Sequence, residues 1–336
     1  MAGIYKLTSG GLMVNYRCQA RCGHCLYCCS PEREEAYLSY EAARDIFARV
    51  KALGAPSMHI SGGEPFLEPE KLARVLDAAR DEGMPIDYIE TSASWAEEDG
   101  AVREVLRRVK AYGVTALSVS ISPYHNEFIP LDRVLRLTGL CAEEGLDASL
   151  WIDEFLPDMS VFPTDAVHSK QEYIDFFNRN YWAQLPPRYA LYRMGRAVLT
   201  HRDDMPTFPT PRIPHMGRSC AELAGRSHYH IDCYGGYIPP GCPGLALPLS
   251  ALGRELEPEE YPVYTRLAQE PRQLLDYCKA QGFAPGPSYY NRCHLCQEMR
   301  LFLYQKFPGR FKELAPASFY ETILQERSVE AGRGMV

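Results

Sequence analysis

Five cysteines, Cys18, Cys22, Cys25, Cys28 and Cys29, fall within residues 16–30, the stretch YRCQARCGHCLYCCS. Thiols at that density do one of three things: they pair as disulfides, hold a zinc ion, or hold an iron-sulfur cluster. The redox compartment separates the first from the others. The opening MAGIYKLTSGGLMV has no basic segment ahead of a continuous apolar core, and no run reaches the roughly 18 apolar residues of a membrane span. The chain reads as cytoplasmic, where thiols stay reduced and clustered cysteines bind metal or do chemistry.

Spacing narrows the choice. Cys18, Cys22 and Cys25 form CxxxCxxC. Three thiolates on one loop hold three irons of a [4Fe-4S] cube and leave the fourth open as a binding position. A structural zinc site takes four ligands, usually as two separated pairs. A shifted triad, Cys22, Cys25 and Cys28, is also regularly spaced. Otherwise Cys28 and Cys29 read as buried thiols, because free cysteine packs as a small hydrophobe.

A loop of this kind needs a scaffold, and 336 residues suffice for a substantial core and about two domains. Charged residues make up 24% and hydrophobic ones 46%, as in ordinary globular proteins. A net charge of -7 and the lack of a dense Lys/Arg run argue against nucleic acid and a polybasic membrane anchor.

The first half repeats one grammar. SYEAARDIFARVKALG spaces Ala43, Ile46, Phe47, Val50 and Leu53 as on a helix, behind a Ser39 N-cap. The strand-like SMHIS follows. The pattern returns in EKLARVLDAARDEG with IDYIETS, GAVREVLRRVKAYG with ALSVSIS, and DRVLRLTGLCAEEG with ASLWID, the helices closing at Gly54, Gly83, Gly113 and Gly145. A period of about 30 residues is the size of a βαβ unit. A helical solenoid has a similar period, but its repeats pair two helices rather than a helix with a β-rich run. With GGLMVNY as first strand, the reading is an α/β fold of at least five parallel strands, doubly wound or part of a barrel. Ligands then sit at the carboxyl ends of the strands. The cysteine run, SGGEP, TSAS, SISPYH and DE each follow one strand and share that rim.

These residues together resemble the radical SAM superfamily. Its signature is the cysteine triad after the first strand, with an aromatic-like residue before the last cysteine, here His24. SGGEP is similar to the GGE motif, and the resemblance makes Gly62, Gly63 and Glu64 the residues that bind the methionine end of S-adenosylmethionine (SAM). A strand-to-helix turn carrying an acid is the plain alternative. Ser92, Ser120 and Ser122 match positions lining the nucleoside, or form the polar face of a strand. The resemblance covers about residues 10–200 and implies a partial (β/α)6-type barrel. It also implies SAM bound at a [4Fe-4S] cluster, reductive cleavage to a 5'-deoxyadenosyl radical, and hydrogen abstraction from a substrate. Cys141 lies on the apolar stripe of its helix and reads as core.

After Asp153 the text turns irregular, with one helical piece near Gln171 to Tyr181. Six more cysteines follow: Cys220, Cys233, Cys242, Cys278, Cys293 and Cys296. CAELAGRSHYHIDCYGGYIPPGC alternates around a glycine turn and NRCHLC supplies a CxxC, which together resemble the SPASM and Twitch auxiliary domains. MGRA, at Met194 to Ala197, resembles a segment just upstream in those proteins. The resemblance makes Cys220, Cys242, Cys293 and Cys296 ligands of one auxiliary [4Fe-4S] cluster and leaves Cys233 and Cys278 over. A zinc knuckle is the rival reading. His228 and His230 alternate on the hairpin and face one way, or form a polar strand face. The expected division is 1–205 core, 206–305 auxiliary domain and 306–336 tail, ending in a terminus of low order.

Two enzyme readings and one other follow. The preferred one modifies a residue of a peptide or protein. The alternative dehydrogenates a small molecule of natural-product or sugar type, and the third is an iron-sulfur electron carrier without catalysis. The resemblance implies a reducing partner such as flavodoxin or ferredoxin. Asp153, Glu154 and Tyr124 stand near the rim as candidate proton acceptors.

Overall fold

The computed structural model describes residues 2–201, 204–213 and 220–333, the side chains of 330–333 excepted. The first half runs β1 (Ser9–Met13), α1 (Tyr40–Ala52), β2 (Met58–Ser61), α2 (Pro69–Asp81), β3 (Ile86–Thr91), α3 (Asp99–Ala111), β4 (Ala116–Ser120), the short α4 (Pro123–Asn126), α5 (Leu131–Glu144) and β5 (Asp147–Trp151). Then come α6 (Leu156–Met159), α7 (Lys170–Phe177), α8 (Arg179–Arg188), α9 (Ala197–Thr200), β6 (Phe208–Pro209), β7 (Ser227–Ile231), β8 (Gly236–Ile238) and β9 (Leu247–Pro248). The chain finishes with α10 (Pro262–Gln269), α11 (Pro271–Ala280), β10 (Ser288–Tyr289), α12 (Arg292–Lys306) and α13 (Ala317–Arg333). No helix of the described residues is long and apolar enough to cross a membrane.

Local signals set the first-half helices. Ser39 caps α1, its Oγ accepting from the Ala42 N–H at 3.2 Å. Gly54, Gly83, Gly113 and Gly145 all have positive φ, between 61° and 98°, the left-handed stop that glycine supplies most cheaply. Each helix buries its apolar stripe on the sheet, as with Ala43, Ile46, Phe47 and Val50 of α1. The helical piece near Gln171 is instead two helices. Asn178, at φ 124°, breaks it and caps α8 through the Tyr181 N–H.

The sheet order is β5-β4-β3-β2-β1-β7-β8-β9, with β1 to β5 mutually parallel and β7 parallel to β1. The sixth parallel strand is thus β7, from the second half, set beside β1, and β8 and β9 extend that edge antiparallel. A register shift between Ser9 and Gly10 leaves His228, at φ 58°, as the extra residue of a bulge. The sheet therefore crosses the expected boundary at 205/206. One buried cluster runs from Ile4 to Ile323, taking in both halves.

Ahead of the terminus, whose last residues 334–336 lie outside the described ones, α13 docks on the rest of the chain. Arg196 Nε donates to Glu326 Oε1 at 2.9 Å, both side chains being almost fully buried. Arg33 reaches Ser318 Oγ at 2.6 Å. A buried charge is tolerated only when paired, so these contacts hold the helix down. Glu326→Ala leaves Arg196 without its counter-charge and is expected to cost about 3 kcal/mol. Urea unfolding checks this, and an unchanged midpoint would count against the docked helix.

Candidate functional site

The cysteine loop leaves β1 and folds back onto it. Cys18 N–H donates to Ser30 O, Cys25 N–H to Cys22 O, and Cys29 N–H to Cys25 Sγ at 3.3 Å. Arg196 pins the loop from beneath, donating from its two terminal nitrogens to Cys22 O at 2.9 Å and Cys29 O at 3.0 Å. Its own N–H donates to Cys25 O. The Cys29 thiol hydrogen bond, helped by the nearby Arg196 charge, pulls the Cys25 thiol down to about 6 against the opposing effect of burial. Burial pushes Cys18 and Cys22 upward.

Cys18, Cys22 and Cys25 open onto one cavity of about 540 Å³, shared with Gly62, Gly63, Glu90, Thr91, Ser92, Ser120, His125, Trp151, Tyr189, Tyr192 and His228. His24 fills the aromatic position by packing, stacked on Tyr124 at 4.7 Å and edge-on to Tyr189 at 4.5 Å. Cys29 also faces the cavity, whereas fully buried Cys28 is not among its lining residues, so the shifted triad does not converge there. The turn at Gly62 and Gly63 lies close under the loop. A Cβ at Gly63 would collide with Arg17 O, and one at Gly62 would sit 2.7 Å from Asn15 Oδ1. Only glycine permits that approach.

Several predicted residues sit elsewhere. Glu64 is fully buried and does not line the cavity. Its carboxylate accepts from Thr91 Oγ1 at 2.9 Å, Ser92 N–H at 2.8 Å, Ser92 Oγ at 2.5 Å and Phe66 N–H at 3.2 Å. It therefore clamps the end of β2 to the end of β3. Ser92 and Ser120 are at the cavity, but Ser122 is buried as the N-cap of α4, its Oγ 2.7 Å from His125 Nδ1. The proposed proton acceptors are all displaced. Tyr124 is wholly buried among aromatic rings, and its hydroxyl has no partner among the described residues. Asp153 and Glu154 are exposed on the turn Asp153–Phe155 and do not line the cavity. The left-handed Ile152, at φ 65°, redirects the chain just after β5, and Phe155 is what that turn buries.

The acidic group that does reach the cavity is Glu90 of β3, its side chain 43% exposed there and its carboxyl pushed up to about 7 by partial loss of solvent at the cavity wall. Its signal was its period: it stands two residues before Ser92 and so shares that face. His125, also on the wall, is held neutral by burial, which lowers it to about 4.

A second convergence lies in the other half. Cys220, Cys242, Cys293 and Cys296 line one small cavity with Met194, Arg292 and Arg300. Arg300 is buried, and its Nε and one terminal nitrogen have no hydrogen-bond partner among the described residues. Its other terminal nitrogen donates to Pro243 O at 2.7 Å, and a buried guanidinium beside four thiols suits a site that carries negative charge. Among the described residues no three Cys, His, Asp or Glu side chains converge on a single metal ion, whereas a [4Fe-4S] cube takes each thiolate at a different iron. Cys233 and Cys278 stay off this cavity, and Cys141 is core as expected.

Glu64→Gln puts an amide N–H against donors that all need an acceptor, and is expected to destabilise the fold by about 1–3 kcal/mol. A thermal melt without SAM reads this. Full stability with SAM binding alone abolished would restore Glu64 to direct ligand contact.

Comparison with known proteins adds the following. A radical SAM superfamily profile matches residues 13–153. A PqqA peptide cyclase of Streptomyces rochei is 35% identical over 78 residues, 22% of this chain and 21% of that one, so the match spans about a fifth of the relative. The solved structure of anSMEcpe with bound AdoMet overlaps 90% of this chain and 97% of its own at 11% identity and TM-score 0.42. BtrN in complex with AdoMet and 2-DOIA overlaps 71% and 74%, at 14% identity and TM-score 0.38. Residues 13–153 are a radical SAM superfamily domain, and the members of that superfamily are enzymes that use a [4Fe-4S] cluster and SAM.

Proposed function

We propose that this protein cleaves SAM reductively at a [4Fe-4S] cluster held by Cys18, Cys22 and Cys25, and abstracts hydrogen from a residue of a peptide or protein. The observation that carries the reading is the opening of three thiols onto the same cavity as the close-packed Gly62–Gly63 turn and the polar ends of β3 and β4. When bound, the cluster and SAM supply a nucleoside radical able to take a hydrogen atom. This chain's own residues do the rest. Gly62 and Gly63 offer backbone to the methionine end, Ser92 and Ser120 offer hydroxyls to the nucleoside, and His24, packed against Tyr124 and Tyr189, closes one side of the cavity.

A second cluster, held by Cys220, Cys242, Cys293 and Cys296, is part of the proposal. Its support is the shared cavity of these thiols and the buried Arg300 charge beside them. Four protein ligands would suit it to electron transfer rather than substrate binding. Residues 1–205 would then carry the SAM chemistry and 206–305 the second cluster, with flavodoxin or ferredoxin as the kind of reductant required. The peptide substrate is supported by the partial likeness to a protein named a peptide cyclase, and by Trp151 and Tyr192, half exposed at the cavity, which suit side chains of a polymer.

Anaerobic reconstitution, addition of SAM and dithionite, and mass spectrometry for 5'-deoxyadenosine test the reaction. The nucleoside is expected from the wild type and absent from Cys22→Ala. Iron analysis tests the second site: Cys18→Ala/Cys22→Ala/Cys25→Ala and Cys293→Ala/Cys296→Ala should each keep about half of the wild-type iron. Loss of all iron from the first variant alone would remove the second cluster from the account.

A further inference from the structure

We propose that Glu90, His59 and His230 form one proton-accepting site in the barrel, with Glu90 taking a proton from an O–H or N–H of the substrate. This rests on the reading that a substrate reacts in the cavity described above.

The site is built by a missing side chain. Gly11 of β1 is in register with His59 of β2 on one side and His230 of β7 on the other. A Cβ there would collide with the His59 ring and lie 2.6 Å from His230 Cδ2. Glycine lets the two imidazoles meet across the intervening strand, their Nε2 atoms 3.4 Å apart. Glu90 Oε1 is 3.6 Å from the same Nε2 of His59, and Glu90 lines the cavity. Tyr88 stacks flat on His59, centroids 4.8 Å apart and planes 4° from parallel, which fixes the ring. On the far side His230 Nδ1 is 2.9 Å from the Tyr27 hydroxyl. His228, on the bulge of β7, is the other titratable group that bears on both rings.

In the step itself the substrate X–H bond breaks, an O–H bond forms on Glu90, and the electron pair stays on the substrate. No redox partner is needed for this transfer. His59 Nε2 faces both Glu90, at 3.6 Å, and His230, at 3.4 Å, so the imidazole pair forms the polar wall behind the carboxylate that takes the proton. Burial lowers both imidazoles and keeps them neutral, so the proton rests on Glu90 and the rings sense the change in its charge. Packing alone would account for two rings filling the barrel, but it would not couple them to a carboxylate on the cavity wall.

Imidazole nitrogen NMR on the full-length protein with labelled histidine tests this from about pH 5 to 9, the range around a free imidazole, with His59→Phe and His230→Phe for assignment. Both rings are expected to stay neutral and to show a common inflection near pH 7, where Glu90 takes up its proton. Glu90→Gln should remove that inflection from both rings, and Tyr27→Phe should move the His230 Nδ1 signal while leaving the His59 inflection in place. Rings that titrate independently, or an inflection that survives Glu90→Gln, would overturn the proposal. The measurement needs no SAM cleavage, so a negative nucleoside assay and a negative titration are separate results.

Discussion

A single buried guanidinium organises this structure. Arg196 holds the carbonyls of Cys22 and Cys29, its own N–H holds that of Cys25, and its charge is met by Glu326 of the last helix. Enclosing such a charge costs several kcal/mol unless every donor is used. That requirement couples three distant parts of the chain: the cysteine loop after β1, the segment at residues 194–197 and α13. It also orients the loop, because three of its carbonyls are drawn toward Arg196 while the Cys18, Cys22 and Cys25 thiols line the cavity. Gly195 adds to the constraint, since a Cβ there would lie 2.8 Å from Cys25 O. Met194, next in line, borders the cavity of the second set of thiols. One short segment thus touches both groups of cysteines.

The centre of the sheet follows a related economy. β1 carries two adjacent glycines, Gly10 and Gly11, which open space on opposite faces of the sheet, and rings from the neighbouring strands take it. Tyr229 fills one and the His59–His230 pair the other. A strand without side chains is weak by itself, so β1 depends on being central, paired with β2 and β7. The second half is therefore a structural part of the sheet as well as the source of the later cysteines.

Much of the fold was legible because its signals are local. The helical period, the Ser39 cap and the four closing glycines act within a few residues, so α1, α2, α3 and α5 lie where their spacing put them. The same holds for the strand after each helix. The direction of individual side chains was less legible. Glu64 follows the glycine turn as the motif requires, yet its carboxylate points to Thr91 and Ser92, donors 27 and 28 residues away. Asp153 and Glu154 stand just beyond a strand end, but the left-handed turn at Ile152 carries them to the surface. Glu90 is readable in principle from its period-two relation to Ser92, but a single acid in a strand carries no distinguishing pattern of its own.

The sequence by itself determined the parallel βα order, the rim on which the chemistry gathers and the three thiols of the first loop, because each is written in spacing that survives without knowledge of the fold. Only the tertiary structure decided which groups face one another. Gly11 meets His230, Cys220 meets Cys296 and Arg196 meets Glu326 across long stretches of chain. The energies that bring such pairs together come from burial and pairing of charge, which depend on the enclosed volume and leave no period in the chain to read.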